Sequence, residues 1–533
     1  MNQLFKGSIT LTKFNFKRNK YQILVCLICL ISLSISVAVS YEDVYSEPYS
    51  RELMVPTLKN PAIIALIGTT EGMNNYSIGA MFGHQMTLLM AICVAIMNIL
   101  LVAKNTRGEE EYGRHEMIRS LATGKISTIF ATYIEMLVIN FFISISSGIG
   151  IALLNIESMD VNSSLLYGFS LGVTGFIFGS LTAFIAQLVS SKKTTVEIAF
   201  TLLGVSYLLR ACTDIYADKF SWLSPLSWSY KTSPFVNNNW TPLSFGILFS
   251  TVLILSSCLL YSRRDYGSSI IVEPSGRKKA SKFLLTPYGL PLNLLKTTIL
   301  GWLISLFILG ATFGSFFGDI ESFIDSSTMQ LFISEYTNYS LAEELLSLLA
   351  GLFAIVSCIP TLIVLFKLMS EESLGKIELI LAKSVSRNTL LFTYFSISFV
   401  VGILSVLLSM SGLYVTSRLA MSNPLNFSQV MLTGIVYLPV LWLIIGLAIL
   451  CIGILPKAKI LIWLFIGFSF FLEYFGTMLD VPNWIQSISP FFHIPKLPVD
   501  KLTFSSIVIM IVLGIGFMVI GNLGYRKRDI IAK

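Results

Sequence analysis

The sequence predicts an all-α, polytopic membrane protein: about twelve transmembrane helices arranged as two parallel six-helix repeats, with both termini cytoplasmic. Three observations predict it. Composition is the first: 54% of the 533 residues are hydrophobic, only 13% are charged, and the mean hydropathy is +0.76. Soluble domains carry roughly 25% charged residues. The second is a series of apolar runs long enough to cross a bilayer. The third is a set of motifs that returns in the same order in the second half of the chain.

A hydrocarbon core of ~30 Å needs roughly 20 residues of helix. Runs of that kind occupy 21–40, 84–103, 126–154, 165–190, 196–212 and 243–261 in the first half. They occupy 298–317, 345–368, 389–416, 428–454, 460–478 and 503–524 in the second. None alternates polar and apolar residues as a barrel strand does, so helices are expected. The first run is too long for the apolar core of a signal peptide, and no small-residue cleavage site closes it before "YEDVYSEPYS". It is read as a span.

Orientation follows from Lys and Arg in the short connections. With the N-terminus in the cytoplasm, all but eight of the 37 basic residues fall on the inner side. The exceptions are Arg51, Lys59, Arg210, Lys219, Lys231, Arg418, Lys496 and Lys501. The net charge of +7 is therefore a topology signal, and no nucleic-acid partner is expected. Cys26 and Cys29 lie in "LVCLICLIS", where a cysteine acts as a small apolar packing residue. The three histidines have no ligand spacing, so no metal site is expected.

The internal repeat rests on three matches. Glu109, Glu110, Gly113 and Glu116 recur 262 positions later as Glu371, Glu372, Gly375 and Glu378. Pro225 of "WLSPLSW" faces Pro490 of "SISPFFH". Basic knots, "SRRDYG" at 262–267 and "YRKRDI" at 525–530, close the sixth and twelfth runs. An even number of spans per half makes the repeat parallel. Residues 1–267 then form the first repeat, 268–296 a Gly-, Pro- and Lys-rich cytoplasmic linker, and 297–533 the second repeat. The linker's end, around Leu290–Lys296, and residues 4–20 ahead of the first span are both expected to lie at the interface.

The acidic motif sits on the cytoplasmic side between the second and third spans of each half. Glu109–Ser120 reads as a short helix with its carboxylates at the N-terminal, dipole-favoured end. Glu110 and Arg114 are spaced for an i,i+4 pair. A solvated connector has no need of the same acidic spacing twice. A docking surface for two copies of one partner does, and paired carboxylates suit a partner's arginines.

"GEEEYGRHEMI" and "EESLGKIELILAKSVSR" resemble the paired cytoplasmic motifs of type-2 ABC exporter permeases. "YLLRACTD…WLSPLSW" and "VPNWIQSISPFFHIPKLP" are similar to the outer segments of its fused twelve-span subfamily, the polyketide-antibiotic (tetronasin-type) exporters. In the first half "RSLATGKIS" departs from the tail that "AKSVSR" partly keeps, which predicts a different local geometry there.

The resemblance implies a permease subunit, not an enzyme, that effluxes an amphipathic, polyketide-like antibiotic across the plasma membrane, in contact with lipid. A cytoplasmic ABC ATPase, two copies per chain, would supply the power. ATP and Mg would bind on that partner, with no cofactor on this chain. In agreement, the sequence holds no G-x-x-x-x-G-K-[ST] phosphate loop and no Leu-Ser-Gly-Gly-Gln-like signature. ATPase coupling falls by the resemblance on Glu109, Glu110, Glu111, Gly113, Arg114 and Glu116, and on Glu371, Glu372, Gly375, Lys376 and Glu378.

Charges inside spans are costly, so each carries a hypothesis. Arg210 and Glu473 occupy near-equivalent places late in the fifth and eleventh runs, where they could pair as an outer gate or each reach the outer headgroups separately. Glu135, in the third run, could titrate along a transport pathway or be hydrogen-bonded within the bundle. Asn98, Asn140 and Gln187 read as interhelical hydrogen-bond partners. The same machinery could export a peptide, lipid or cell-envelope precursor. An ion-coupled transporter would need a buried titratable relay, for which only Glu135 qualifies. A membrane sensor commonly has a large outer domain, which is lacking here.

Overall fold

The computed structural model describes residues 4–47, 51, 55–58, 61–69, 72, 76–111, 113–265, 267–271, 279–319, 341–383, 385–421, 424–475, 481–500 and 504–529. Among them regular structure is helical throughout, and the described part of each apolar run is mainly helix. The chain divides into two compact units, Met1–Gly276 and Arg277–Lys533.

In the first unit the long helices are α1 (Ser8–Val44), α2 (Ile78–Asn105), α3 (Ser127–Ala152), α4 (Val161–Leu188), α5 (Lys192–Tyr216) and α6 (Thr241–Arg263). In the second they are α7 (Gly289–Ser315), α8 (Leu341–Ser373), α9 (Arg387–Ala420), α10 (Phe427–Ile454), α11 (Lys459–Phe475) and α12 (Phe504–Lys527). Eleven are long and apolar enough to cross a membrane. The other is α11, whose described part is 17 residues long. Several begin where the sequence supplies a cap: Ser77 accepts from the Ala80 N–H, Asp160 from Asn162 and Ser163, Ser191 from Thr194 and Ser386 from Thr389.

Two interfacial segments expected from the sequence are absent as separate elements. Residues 8–20 continue into the first span as one 37-residue helix, and Leu290–Lys296 belong to α7. Neither stretch contains a breaker strong enough to end a turn; Pro291 sits in the first turn of α7, where its missing N–H costs nothing.

The two units share most of their packing plan and differ in which helices the third one rests on. The most buried helices are α2 and α4 in the first unit and α8 and α10 in the second. α3 packs on α1 and α4, and α9 on α7 and α8. α6 packs along α4 as α12 does along α10. The last contact is close because both faces are glycine: a Cβ on Gly453 would lie 2.0 Å from the Gly521 carbonyl oxygen, and one on Gly446 2.5 Å from that of Gly514. Without a hydrophobic force between helices in lipid, such backbone proximity is what holds them. Asn98 and Asn140 join α2 to α3 by two reciprocal amide bonds, 3.0 and 2.8 Å long. Gln187 behaves otherwise. Its amide donates to Ala183 of its own helix, so the expected interhelical role is not taken up.

Candidate functional site: the paired elbows

The acidic motif folds into an elbow, built twice. In the first unit the chain leaves α2 through Arg107–Glu111 and turns at Gly113 into a short helix, Arg114–Arg119. In the second, Glu371 and Glu372 close α8, and the chain turns at Gly375 into Lys376–Leu381. Gly113 has φ 68° and Gly375 φ 69°, the left-handed region that a Cβ disfavours. Beyond the turn the backbone bonds coincide. Ser120 N–H donates to Glu116 O, and Thr123 N–H to Leu121 O. Ala382 and Val385 do the same to Glu378 and Lys383, 262 positions on. The departing "RSLATGKIS" tail therefore leaves the elbow's backbone unchanged. The units differ just after it: Gly124 and Ile126 donate to the carbonyls of Lys6 and Leu4, whereas Ser386 caps α9 directly.

This geometry corrects the expectation of one helix over Glu109–Ser120. The glycine splits it: Glu109 and Glu110 fall in the short helix Arg107–Glu111 ahead of the turn, and Glu371 and Glu372 in the last turn of α8, where the dipole disfavours a carboxylate. Cations of the same chain compensate. Glu109 pairs with Arg18 (2.8 Å) and Arg114 (3.4 Å), and Glu110 with Arg107 (2.7 Å) and Arg264 (2.5 Å). The i,i+4 pair expected between Glu110 and Arg114 is replaced by these contacts. Glu111 accepts from the backbone N–H of Lys192 (2.6 Å) at the start of α5, a favourable place for a carboxylate. In the second unit Glu371 pairs with Lys367 (2.7 Å) and Lys376 (3.8 Å), and Glu372 with Arg528 (2.5 Å).

The four carboxylates Glu109, Glu110, Glu371 and Glu372 thus face inward and are neutralised at home. Each elbow instead presents a large apolar side chain outward: Met117 is 72% exposed and its counterpart Leu379 71%. Leu121 and Leu374 lie exposed nearby, and Glu116 and Glu378 are also on the exposed side.

Glu135 lies eight residues into α3, fully buried. It accepts from Asn19 (3.0 Å) and Asn105 (2.6 Å), and the Asn105 side-chain Oδ1 in turn accepts from Arg18 (2.6 Å). Arg18 thereby links Glu135 to Glu109, and α1, α2 and α3 meet in one polar cluster beside the first elbow.

Arg210 lies fully buried late in α5. It pairs with Asp214 one turn on (3.3 Å), stacks over Tyr207, and donates to the carbonyls of Ile64 and Ala65 near the end of the short helix Pro61–Ile67. Asp214 also accepts from Tyr230 (2.7 Å) and Ser221 (2.6 Å). Burial first, and then the Asp214 charge, push the Tyr230 phenol's pKa well above its ordinary value, so it stays a donor. Glu473 of α11 pairs with Lys496 (3.6 Å). Each of the two charges considered as a gate finds a counter-charge within its own unit. Both lie near short helices between the last two spans, Asp218–Leu223 and Ser227–Tyr230 in one unit, Asn483–Gln486 and Pro490–His493 in the other.

Sequence reasoning passed over Asp214, Arg18, Arg107, Arg264 and Arg528. Asp214 carried a signal, its i+4 spacing from Arg210. The arginines were legible only as topology markers.

Helical spans without strands among the described residues, gathered into two similarly built units, define an all-α, multi-pass membrane protein. Within that class, residues 284–526 match the family model described as the C-terminal domain of the multidrug efflux system permease Rv1217c. The chain is also 26% identical over 538 residues to the multidrug efflux system permease protein Rv1217c of Mycobacterium tuberculosis, covering 99% of this chain and 96% of that one.

Proposed function

We propose that the chain is the membrane permease of an efflux system, driven by a separate cytoplasmic ABC ATPase that binds once at each elbow. The observation that carries this reading is the duplication of the elbow: the same left-handed glycine, the same backbone bonds and the same outward apolar side chain, Met117 or Leu379. A connector needs none of these in duplicate. Full-length similarity to a multidrug efflux permease supports the export reading, and the basic residues around the elbows support a cytoplasmic position for them.

In this reading the inward carboxylates do not grip the partner. Glu109, Glu110, Glu371 and Glu372 brace the elbow, while the helices Arg114–Arg119 and Lys376–Leu381 insert their exposed faces into the ATPase. ATP-driven closure of the two ATPases pushes on both elbows, and the helices behind them tilt. The cargo we favour is an amphipathic, polyketide-like or similar drug-sized molecule. Purification of the tagged chain from its native membranes in mild detergent tests the proposal. The expected result is a co-purifying ATPase at two copies per chain, with hydrolysis stimulated by amphipathic drugs. A chain that purifies alone, and moves drugs in ATP-free vesicles on an ion gradient, would overturn it.

A further inference from the structure

Each unit contains one ion pair that ties its elbow to the end of its sixth helix, and the two pairs match atom for atom in kind. Arg264 follows the last residue of α6; its N–H donates to the Leu260 carbonyl (2.9 Å) and its guanidinium lies over Tyr261 (5.6 Å) and pairs with Glu110. Arg528 follows the last residue of α12; its N–H donates to the Gly524 carbonyl (3.0 Å) and its guanidinium lies over Tyr525 (5.1 Å) and pairs with Glu372. The acids recur at an offset of 262 and the arginines and tyrosines at 264.

We propose that Arg264 and Arg528 are positioning residues that transmit movement of the elbows to the sixth helix of each unit. The inference rests on the functional reading above. α6 and α12 pack mainly along α4 and α10, so the arginine is a direct connection from the elbow to a helix held elsewhere. A charge-assisted bond between largely buried groups is short and stiff, and stacking on the tyrosine fixes the guanidinium plane. Such a link moves as a strut.

The two struts are not equally supported. Glu110 has a second arginine, Arg107, which also donates to the carbonyls of Ala186 (2.6 Å) and Ser268 (3.0 Å). The position 262 residues after Arg107 is Met369, so Glu372 lacks that brace. Loss of Arg528 should therefore uncouple its unit more completely than loss of Arg264.

The test uses the intact complex with its ATPase, reconstituted in nanodiscs, and needs no cargo. Spin labels replace Phe392 of α9 and Val519 of α12, both exposed, in a cysteine-free background. Their distance distribution is compared before and after trapping with MgATP and vanadate. We expect a trapping-induced shift in the wild type, its loss in Arg528→Met, and its return in the charge swap Glu372→Arg/Arg528→Glu. The neutral pair Glu372→Gln/Arg528→Gln, which leaves no lone buried charge, should lose the shift while keeping two ATPases bound. With equivalent labels on α3 and α6, Arg264→Met should retain part of the shift. A wild-type shift in Arg528→Met or the neutral pair, with the complex intact, overturns this inference alone. So does a loss of shift that always accompanies ATPase release, since the pair would then serve docking. A wild-type chain carrying no ATPase overturns the functional reading and this one with it.

Discussion

Arg210 and Asp214 form an ion pair in which neither side chain meets solvent. A buried pair stands or falls as a unit: removing one partner leaves an uncompensated charge, at about 3–5 kcal/mol. Arg210→Met should therefore lower the unfolding midpoint of the detergent-solubilised protein strongly, because it also frees the carbonyls at the end of Pro61–Ile67. Asp214→Asn should cost less, since the guanidinium keeps those carbonyls. The double variant Arg210→Met/Asp214→Asn should recover part of the loss. Thermal unfolding of all three decides it; independent, additive effects would contradict the pair.

The reciprocal amides of Asn98 and Asn140 make a second pair with a defined prediction. Interhelical hydrogen bonds in membranes average about 0.6 kcal/mol and reach about 1.7. Two bonds within a fully buried contact should place a double-mutant cycle of Asn98→Leu and Asn140→Leu toward the upper end of that range. A coupling energy indistinguishable from zero would mean the pair is incidental to the packing of α2 on α3.

Gly113 adopts φ 68° with no atom within 4 Å of where a Cβ would stand. The cost of Gly113→Ala is then purely conformational, about 1–2 kcal/mol for the left-handed region. Asn, which tolerates that region, should cost less than Ala. The expected readout is weaker ATPase association in the order Gly, Asn, Ala, measured by co-purification, with little change in the melting of the membrane domain. Equal association for all three would show that the turn is not needed for docking.

Glu135 separates the proposed mechanism from an ion-coupled one. Its carboxylate accepts two amide donors and connects through Asn105 to Arg18. Glu135→Gln should lower stability by about 1–3 kcal/mol through a mismatched buried amide and leave ATP-dependent drug transport within about twofold of wild type. Abolished transport with stability unchanged would restore Glu135 as a carrier of protons or cations.

Much of this architecture was legible in the sequence, because bilayer thickness sets the length of every apolar run and the repeat spacing marks the elbows. Among the described residues eleven membrane-length helices cover the expected runs, and the elbow glycines Gly113 and Gly375 stand where the repeat marks them. The local chemistry was harder to read. Arg264 and Arg528 look like ordinary inner-side charges until folding brings them to Glu110 and Glu372, more than 150 residues away. Glu109 and Glu110 read as a helix start because acids favour N-termini. Tertiary pairing with Arg18 and Arg264 instead turns them inward, away from a partner. The Arg210 clamp on Pro61–Ile67 joins residues some 145 positions apart, and nothing local in either segment announces the other.

The account turns on two docking elbows with an apolar side chain at the tip of each. Native mass spectrometry of the detergent-extracted complex tests it most directly, using wild type, Met117→Asp, Leu379→Asp and the double variant. Both positions are largely exposed, so the substitutions spare the membrane core. The account predicts two ATPase copies on the wild type, one on each single variant and none on the double. The same number of copies on all four proteins would contradict it.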